Sequence, residues 1–275
     1  MTRPHTQFIL LALALALAAI YLFPLYWMYV TSLKSGSEIF ANPPSFWPAA
    51  PDASIYPAVW VRRSMATFLT NSVIIASGVT AITVILGTGC AYVLARYRSV
   101  WVDIGLFCVL MLQVLPASVM ITPLFVGFNQ IGLLNYPRTA VVLAAAAKAM
   151  PFFVVLVRAT FMSVPRELEE AALVDGNSRV GAFFSIVLPL ARNGILVCAI
   201  LTFMSAFGEY IYSKSIIQSP SLQPASVGLS GFLGPNSSDW NSIMAYSAIY
   251  VTPILAVFVL LQRRIVSGLT SGALK

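Results

Sequence analysis

Residues 165–176 read Pro-Arg-Glu-Leu-Glu-Glu-Ala-Ala-Leu-Val-Asp-Gly and lie in the most charged stretch of a very apolar chain. Charged residues make up 9% of the sequence, yet six of them fall within fourteen residues here: Arg166, Glu167, Glu169, Glu170, Asp175 and Arg179. Pro165 suits the first turn of a helix because proline has no N–H to leave unpaired, and the acidic residues that follow complement the positive end of the helix dipole. The stretch therefore predicts a short helix in water, flanked by segments in lipid.

This short helix is predicted to end at Asp175-Gly176, because glycine tolerates the positive φ of a helix C-cap. Leu168, Ala171 and Ala172 are spaced i, i+3 and i+4 and predict a narrow apolar stripe along it. The two alanines are small enough to let another backbone approach closely. We therefore expect a surface on which a second protein docks.

A second short helix is predicted directly after the glycine. Asn177 or Ser178 can cap its start, and Pro189 is expected to end or kink it. Two further prolines, Pro116 and Pro151, fall inside apolar segments and predict kinks there, because a mid-membrane proline leaves a carbonyl without its usual partner.

The composition of the 275 residues is that of an integral membrane protein. Hydrophobic residues make up 59% and the mean hydropathy is +0.87, whereas about a quarter of the residues of an average soluble domain are charged. The sixteen Lys and Arg residues are scattered rather than clustered, which argues against a nucleic-acid partner. Cys90, Cys108 and Cys198 each lie in an apolar run and are predicted to pack as small hydrophobes, so no metal site is expected.

Six apolar segments are long enough to cross a bilayer, which needs roughly twenty helical residues. The predicted spans are about 8–31, 67–94, 103–128, 139–161, 194–217 and 243–261. The predicted fold class is therefore an all-α integral membrane protein with one transmembrane domain over 1–275. The charged stretch lies in the segment 162–193, and the proline-rich segment from Ser32 to Ala66 is predicted to lie against the membrane surface.

The basic residues favour both termini in the cytoplasm. With the N-terminus inside, ten of the sixteen Lys and Arg residues fall on inner segments and five on outer ones, and membrane proteins keep an excess of positive charge on the cytoplasmic side. The same orientation places the segment 162–193 in the cytoplasm.

The charged stretch resembles a known family. Glu170-Ala171-Ala172, followed after three residues by Gly176 and later by Ile186-x-Leu188-Pro189, resembles the cytoplasmic "EAA" coupling loop of bacterial ABC-importer permeases. Further stretches resemble the carbohydrate, maltose-permease-like subfamily: Ser32-Leu33-Lys34, Glu38-Ile39-Phe40, Pro43-Pro44, Thr70-Asn71-Ser72-Val73 and the tail Leu261 to Lys275. The chain departs from the family pattern at Asn193, where a second proline is usual, and at Phe207-Gly208, where a Trp-Asn pair is usual.

The resemblance implies the six-transmembrane-helix type I ABC importer permease fold and a non-catalytic subunit of a bacterial inner-membrane importer. Its implied partners are a second homologous permease, two cytoplasmic ABC ATPase subunits and an extracytoplasmic solute-binding protein. ATP and magnesium would bind the ATPase subunits, since this chain has no Gly-Lys dipeptide and hence no P-loop. The implied solute is a sugar, an oligosaccharide or a sugar or polyol derivative. The residues that the resemblance assigns to ATPase coupling are Glu169, Glu170, Ala171, Ala172, Asp175 and Gly176.

A candidate solute pathway follows from the fifth span. Thr202, Ser205, Glu209 and Ser213 recur at i, i+3, i+7 and i+11 and predict a polar stripe, beside an aromatic one formed by Phe203, Phe207 and Tyr210. Lys148 lies at a similar depth in the fourth span. The pathway candidates are Lys148, Ser205, Phe207, Glu209 and Tyr210.

Two interpretations of the charged pair remain open at this stage. Lys148 and Glu209 can form a buried ion pair that fixes the fourth and fifth spans together, or Glu209 can face the pathway and bind solute hydroxyls. The aromatic stripe can equally be ordinary packing.

Other functions are weighed against the importer. Intramembrane charges such as Lys148 and Glu209 are functional candidates by default, so a proton-coupled secondary transporter is one alternative. An ABC permease for a non-carbohydrate solute, such as a glycerol phosphate ester, is another. A membrane-embedded enzyme is disfavoured, because the single histidine is His5 and no pair of carboxylates lies within the predicted spans.

Overall fold

The computed structural model describes the backbone of residues 4–97, 99–232 and 239–270 and the side chains of residues 7–97, 99–232 and 239–262. Some sequence predictions fall outside these side chains; they concern His5, the tail from residue 263 onward, and the orienting charges Arg3, Arg98, Arg263, Arg264 and Lys275. The regular structure of the described residues is helical, which confirms the predicted all-α class. The α-helices are α1 (Pro4–Ser32), α2 (Gly36–Ile39), α3 (Ile55–Arg62), α4 (Met65–Arg96), α5 (Val100–Met111), α6 (Ala117–Gln130), α7 (Pro137–Met162), α8 (Arg166–Val174), α9 (Arg179–Ala182), α10 (Leu188–Phe207), α11 (Ile211–Ile216), α12 (Ala225–Ser230) and α13 (Trp240–Thr270).

The number of helices that can cross a membrane is compatible with the six predicted spans. Five single helices are long and apolar enough, and a bent pair of helices supplies a sixth if it counts as one span. The five are Gln7–Ser32, Met65–Arg96, Pro137–Met162, Arg179–Phe207 and Trp240–Gln262, and the pair is Val100–Val114 with Ala117–Gln130.

The third span is broken at Pro116, where the sequence predicts a kink. Its two halves meet at an angle of 97°. Leu115 is extended, with φ −64° and ψ 123°, because the proline ring disfavours the helical conformation for the residue before it. Pro151 behaves differently, since α7 continues through it from Pro137 to Met162.

The fifth span differs from the predicted range 194–217. It begins at Arg179 and ends at Phe207, so Pro189 does not end the helix that starts after the charged stretch. A turn of π-helix over Phe183–Val187 joins α9 to α10 just before this proline. The π turn changes the hydrogen-bond register, and this change accommodates the missing N–H of proline.

Contacts divide the chain into two compact units. One contains Met1–Ala66 and Gly228–Pro253, and the other contains Thr67–Val227 and Ile254–Lys275. A single transmembrane domain over 1–275 stays a prediction.

In the first unit, the segment after α1 is held by side chains on both sides of it. Asn241 donates from Nδ2 to the carbonyl oxygens of Ser32 and Lys34, at 2.7 and 2.8 Å. The Lys34 ammonium is 4.4 Å from the centre of the Trp27 ring, a cation–π contact. Glu38 accepts from the N–H of Ala49 at 2.8 Å. The proline-rich segment therefore folds back on the end of α1.

The core of the second unit is built where α4, α7 and α10 meet. Phe153, Val157 and Phe161 on α7 are fully buried and pack with Ala91 of α4 and Ala191 of α10. Glycines allow some of this close packing. A Cβ atom on Gly194 would lie 2.5 Å from the side chain of Thr160.

The same unit contains a segment from 217 to 224 whose only regular structure is a 3-10 turn at Pro220–Leu222, and it leaves backbone groups without helical partners. Asn71 donates from Nδ2 to the carbonyl oxygens of Ser221 and Gln223, both at 2.9 Å. The Ser72 hydroxyl accepts from the N–H of Ala225 at 2.9 Å. Asn71 and Ser72, which are neighbours on α4, thus supply hydrogen-bond partners for backbone groups that have none within a helix.

We predict that Gly87→Ala lowers the thermal stability of the detergent-extracted protein. The added Cβ would lie 2.6 Å from Cδ1 of Phe153, a 1% exposed side chain that is packed in the core of this unit. Overpacking of this kind costs about 1–3 kcal/mol, more than the roughly 0.5–1 kcal/mol that alanine gains over glycine in a helix.

Gly89→Ala is the matched control, two residues along the same helix. A Cβ there meets nothing within 4 Å, so its melting temperature should stay equal or rise. Melting temperatures measured by fluorescence-detected size exclusion after heating decide the point. Equal melting of both variants would contradict the packing at Gly87.

Candidate functional site

The charged stretch folds as the short helix predicted for it. Helix α8 covers Arg166–Val174 after Pro165, and Gly176 has a φ of +86°. The N–H of Gly176 bonds to the carbonyl of Leu173 and that of Asn177 to the carbonyl of Ala172, which is the Schellman arrangement at a helix end. Of the two predicted caps of the next helix, the structure selects Ser178, whose hydroxyl accepts from the N–H of Gly181 at 3.0 Å.

The two adjacent glutamates of α8 have different environments. Glu169 forms an ion pair with Arg96 of α4, with 2.7 Å between Oε2 and Nε, and its other oxygen accepts from the Tyr92 hydroxyl. The Glu169 side chain is 13% exposed, whereas Glu170 is exposed. We call Tyr92, Arg96 and Glu169 the α8 anchor.

Residues of the α8 anchor also contact α7 and the start of the fifth span. Arg96 also donates to the carbonyl of Phe161 at 3.1 Å, near the end of α7. Arg166 donates from Nη2 to the carbonyl of Arg96 at 2.6 Å. The Tyr92 ring lies 4.6 Å from the ring of Phe183, in the π turn that leads into α10. Helix α8 is therefore tied to α4, to α7 and to the start of the fifth span.

One side of α8 borders a groove between this helix and the segment that follows it. Its lining consists of Leu168, Ala171, Ala172, Asp175, Gly176, Asn177 and Ile186. Leu168 is 45% exposed, while Ala172 is 7% exposed and is covered by the chain itself. The predicted apolar stripe thus has an open end at Leu168 and a closed end at Ala172.

A second feature is a cavity of about 640 Å³ lined by residues of the second to fifth spans and by residues 208–212, which follow the fifth span. It brings together four of the five predicted pathway residues, namely Lys148, Ser205, Glu209 and Tyr210. Phe207 does not line it, because its ring is 4% exposed and packs against Phe203 at 6.2 Å. Gln113 also lines the cavity and donates from Nε2 to the carbonyl of Lys148 at 2.6 Å. Its lone amide in an apolar segment was the sequence signal that could have identified it.

The predicted polar stripe does not follow one continuous helix. Helix α10 ends at Phe207, Gly208 to Tyr210 are not helical, and α11 starts at Ile211. The Glu209 carboxylate accepts from the N–H groups of Tyr212 and Ser213, at 2.7 and 2.9 Å, and from the Ser213 hydroxyl. Glu209 therefore caps α11 instead of projecting from the middle of a span.

Lys148 and Glu209 do not form the ion pair that one interpretation expects. Among the side chains that the structure describes, the ion pairs within 4.0 Å are Arg96–Glu169 and Arg158–Asp103. The Lys148 side chain is exposed on the cavity lining. Both side chains line the same cavity, and the Glu209 carboxylate already accepts hydrogen bonds from backbone N–H groups of α11.

The described residues form helices that supply up to six spans, a cavity lined by Lys148 and Glu209, and a short charged helix beside the spans. This combination fits a membrane transport subunit. Residues 83–271 match the family described as "Binding-protein-dependent transport system inner membrane component", and the chain belongs to that family. It is accordingly a multi-pass permease of the ABC-importer type, which confirms the predicted family.

Relatives match nearly the whole chain. The sulfoquinovosyl glycerol transport system permease protein of Agrobacterium fabrum is 33% identical over 92% of this chain and 89% of its own length. The trehalose/maltose transport system permease protein of Thermococcus litoralis is 30% identical over 95% and 94%. A diacetylchitobiose uptake system permease protein of Streptomyces coelicolor is 28% identical over 96% and 87%.

The fold also has a solved counterpart. The crystal structure of a bacterial ABC transporter involved in the import of the acidic polysaccharide alginate contains a chain that superposes with a TM-score of 0.76. The match covers 96% of this chain and 98% of that one, at 20% sequence identity. This likeness establishes the fold. Membership of the family removes the secondary-transporter alternative.

We predict that Arg96→Met destabilises the protein more than Glu170→Gln. The first change strands a largely buried Glu169 carboxylate, and an unsatisfied buried charged group costs at least about 1–3 kcal/mol. The second change alters an exposed side chain on the same helix. The double variant Arg96→Met with Glu169→Met should recover part of the lost melting temperature, because it removes the stranded charge. Additive losses in the double variant would rule out the ion pair as the cause.

We also predict that Glu209→Ala speeds amide exchange in α11. Removing a helix N-cap costs about 0.5–2 kcal/mol, so exchange at Tyr212 and Ser213 should rise about 2- to 30-fold. Lys214→Ala, at an exposed position of the same helix, should leave exchange unchanged. Hydrogen–deuterium exchange with mass spectrometry on the peptide covering 208–216 measures both. Unchanged protection in Glu209→Ala would mean that the carboxylate does not hold this helix.

Proposed function

We propose that this chain is a permease subunit of an ATP-driven importer for a sugar, an oligosaccharide or a derivative of one. The observation that best supports this proposal is that α8 lies, in chain order, between two helices whose residues line the cavity. Helix α7, which ends just before α8, carries Lys148, and α10, which follows α9, carries Thr202 and Ser205. A force applied to α8 therefore acts directly on both walls of the cavity.

The proposed mechanism is rigid-body coupling. Two cytoplasmic ATPase subunits bind and hydrolyse ATP with magnesium, and one of them receives α8. When the ATPases close, α8 moves with them, and the α8 anchor passes that movement to α4 while the chain itself passes it to α7 and α10. The cavity then opens alternately to the two sides of the membrane. In this arrangement the chain performs no chemistry.

The coupling residues divide into two roles in this proposal. Glu170 is exposed and can pair with a basic residue of the ATPase, and Leu168 with Ala171 offers an open apolar contact beside it. Glu169 and Ala172 face the chain's own helices and hold α8 in position. Asp175 and Gly176 set the sharp turn that starts the next helix.

The remaining partners follow from the family and the relatives. The family name specifies binding-protein-dependent transport, so an extracytoplasmic solute-binding protein delivers the solute. A second, homologous permease is the proposed mate of this chain, since a pathway between two subunits keeps the polar cavity residues hydrated. Both termini lie in the cytoplasm, on the side of α8. The relatives' names, which mention trehalose, maltose, diacetylchitobiose and sulfoquinovosyl glycerol, support a carbohydrate solute.

The test compares α8 variants in the complete transport system. Glu170→Ala and Gly176→Val should insert and fold, yet lose most ATPase co-purification and solute-stimulated hydrolysis. The first removes the exposed carboxylate. The second forces a β-branched residue into a positive φ, which costs roughly 1–2 kcal/mol, although a Cβ there meets nothing within 4 Å.

Two controls make the comparison specific. Glu167→Ala removes an exposed carboxylate from the same helix outside the motif, and Gly176→Asn keeps a residue that tolerates positive φ. Both should retain most co-purification and hydrolysis. Wild-type ATP-dependent uptake in Glu170→Ala and Gly176→Val would reject the coupling role. Failure of any P-loop ATPase to co-purify with the wild-type chain would reject the proposed function itself.

A further inference from the structure

The charges around the cavity are not equivalent. Among the described residues that line it, Lys148 is the one cation and Glu209 the one carboxylate. Both oxygens of Glu209 accept hydrogen bonds from α11, three bonds in all. Its negative charge therefore faces the positive end of a helix of its own chain, where two backbone N–H groups and the Ser213 hydroxyl donate to it.

Lys148 has no such partner. No described carboxylate lies within 4.0 Å of its ammonium, since the ion pairs of the described side chains are Arg96–Glu169 and Arg158–Asp103. Lys148 lies on α7, a helix that can cross a membrane, where a charged side chain is costly and normally faces a polar cavity or a counter-charge. Its exposed side chain lines the 640 Å³ cavity. The uncompensated charge on this lining is therefore positive.

The other polar groups on the lining suit a sugar. Ser205 and Tyr210 are exposed on it, and both carry hydroxyl groups that can donate or accept. Tyr210 also offers an aromatic face, to which the C–H surface of a sugar ring can pack. The Thr202 hydroxyl is already used, because it donates to the carbonyl of Cys198 at 2.8 Å. A hydroxylated solute could thus be held near Tyr210 while a group at its other end reaches Lys148.

We propose that the solute carries an acid group, a carboxylate, sulfate, sulfonate or phosphate on a sugar or polyol body, and that the Lys148 ammonium binds this group in the cavity. This inference rests on the proposed function and adds the charge class of the solute to it. A neutral sugar would leave the ammonium without a counter-charge at membrane depth. An acidic solute neutralises the ammonium when it is bound, so the solute supplies the counter-charge that the described side chains do not.

The experiment uses the complete importer with its binding protein in proteoliposomes loaded with ATP. The probes are glucuronate, glucose 6-sulfate and glucose 6-phosphate against glucose, and maltobionate against maltose. We expect ATP-dependent uptake of at least one acidic probe to exceed that of its neutral counterpart by tenfold or more. Lys148→Met should reduce this uptake at least tenfold, and Lys148→Arg should retain most of it.

Two controls separate binding from assembly. Lys214→Met removes the same charge from an exposed position that does not line the cavity, and its uptake should equal that of the wild type. ATPase co-purification and basal hydrolysis of Lys148→Met should also stay at wild-type levels. A variant that loses assembly, or that loses neutral and acidic uptake alike, would show that Lys148 has a structural partner and would overturn the inference.

The outcomes also distinguish this inference from the function beneath it. ATP-dependent uptake that is restricted to glucose or maltose, or that is indifferent to Lys148→Met, overturns the acidic solute and leaves the sugar importer standing. Absence of ATP-dependent uptake for every acidic and neutral probe, with the binding protein present, rejects the proposed function and the inference together.

Discussion

The structure depends on one constraint, that backbone N–H and C=O groups within a bilayer must find partners inside the protein. Long helices meet it by themselves, and each interruption needs a polar side chain in the right place. At the break between α10 and α11, the Glu209 carboxylate receives the free N–H groups of Tyr212 and Ser213. At the irregular segment before α12, Asn71 donates to two carbonyls that no helix satisfies. Polar residues in or beside the spans thus stabilise the fold by pairing with backbone groups, whatever function they also serve.

The charged groups of the spans follow a related rule, because a buried charge is stable only with a counter-charge or access to water. Arg96 meets it through Glu169, and in doing so it binds α8 to the helices that border the cavity. Glu209 meets it through the start of α11. Lys148 meets it through the cavity. Helix α8 and the cavity are therefore joined by one set of packed helices, and this is the connection that the proposed coupling requires.

Several parts of this arrangement could be predicted from short stretches of sequence. Six apolar segments predict six spans, Pro116 predicts the break in the third, and Asp175-Gly176 predicts the end of α8. Each of these depends on local chemistry, such as bilayer thickness or the ring of proline. The fifth span ends at Phe207 and not at 217 as predicted. The sequence did not reveal this break, because Gly208 and Glu209 fit a helix as well as a break. Only the neighbouring N–H groups of α11 decide which of the two forms.

By itself, the sequence determined that the chain is a helical membrane protein with a short charged helix ending at Asp175-Gly176, since composition, hydrophobic length and the charge pattern of residues 165–176 are local properties. The tertiary structure alone decided that Glu169 turns inward while Glu170 stays exposed, that Phe207 is buried, and that Lys148 and Glu209 share a cavity without pairing. The reason is physical. A residue's type fixes which interactions it can make, but its partner can lie some seventy residues away, as Arg96 does from Glu169, and only the packing of helices brings the two together.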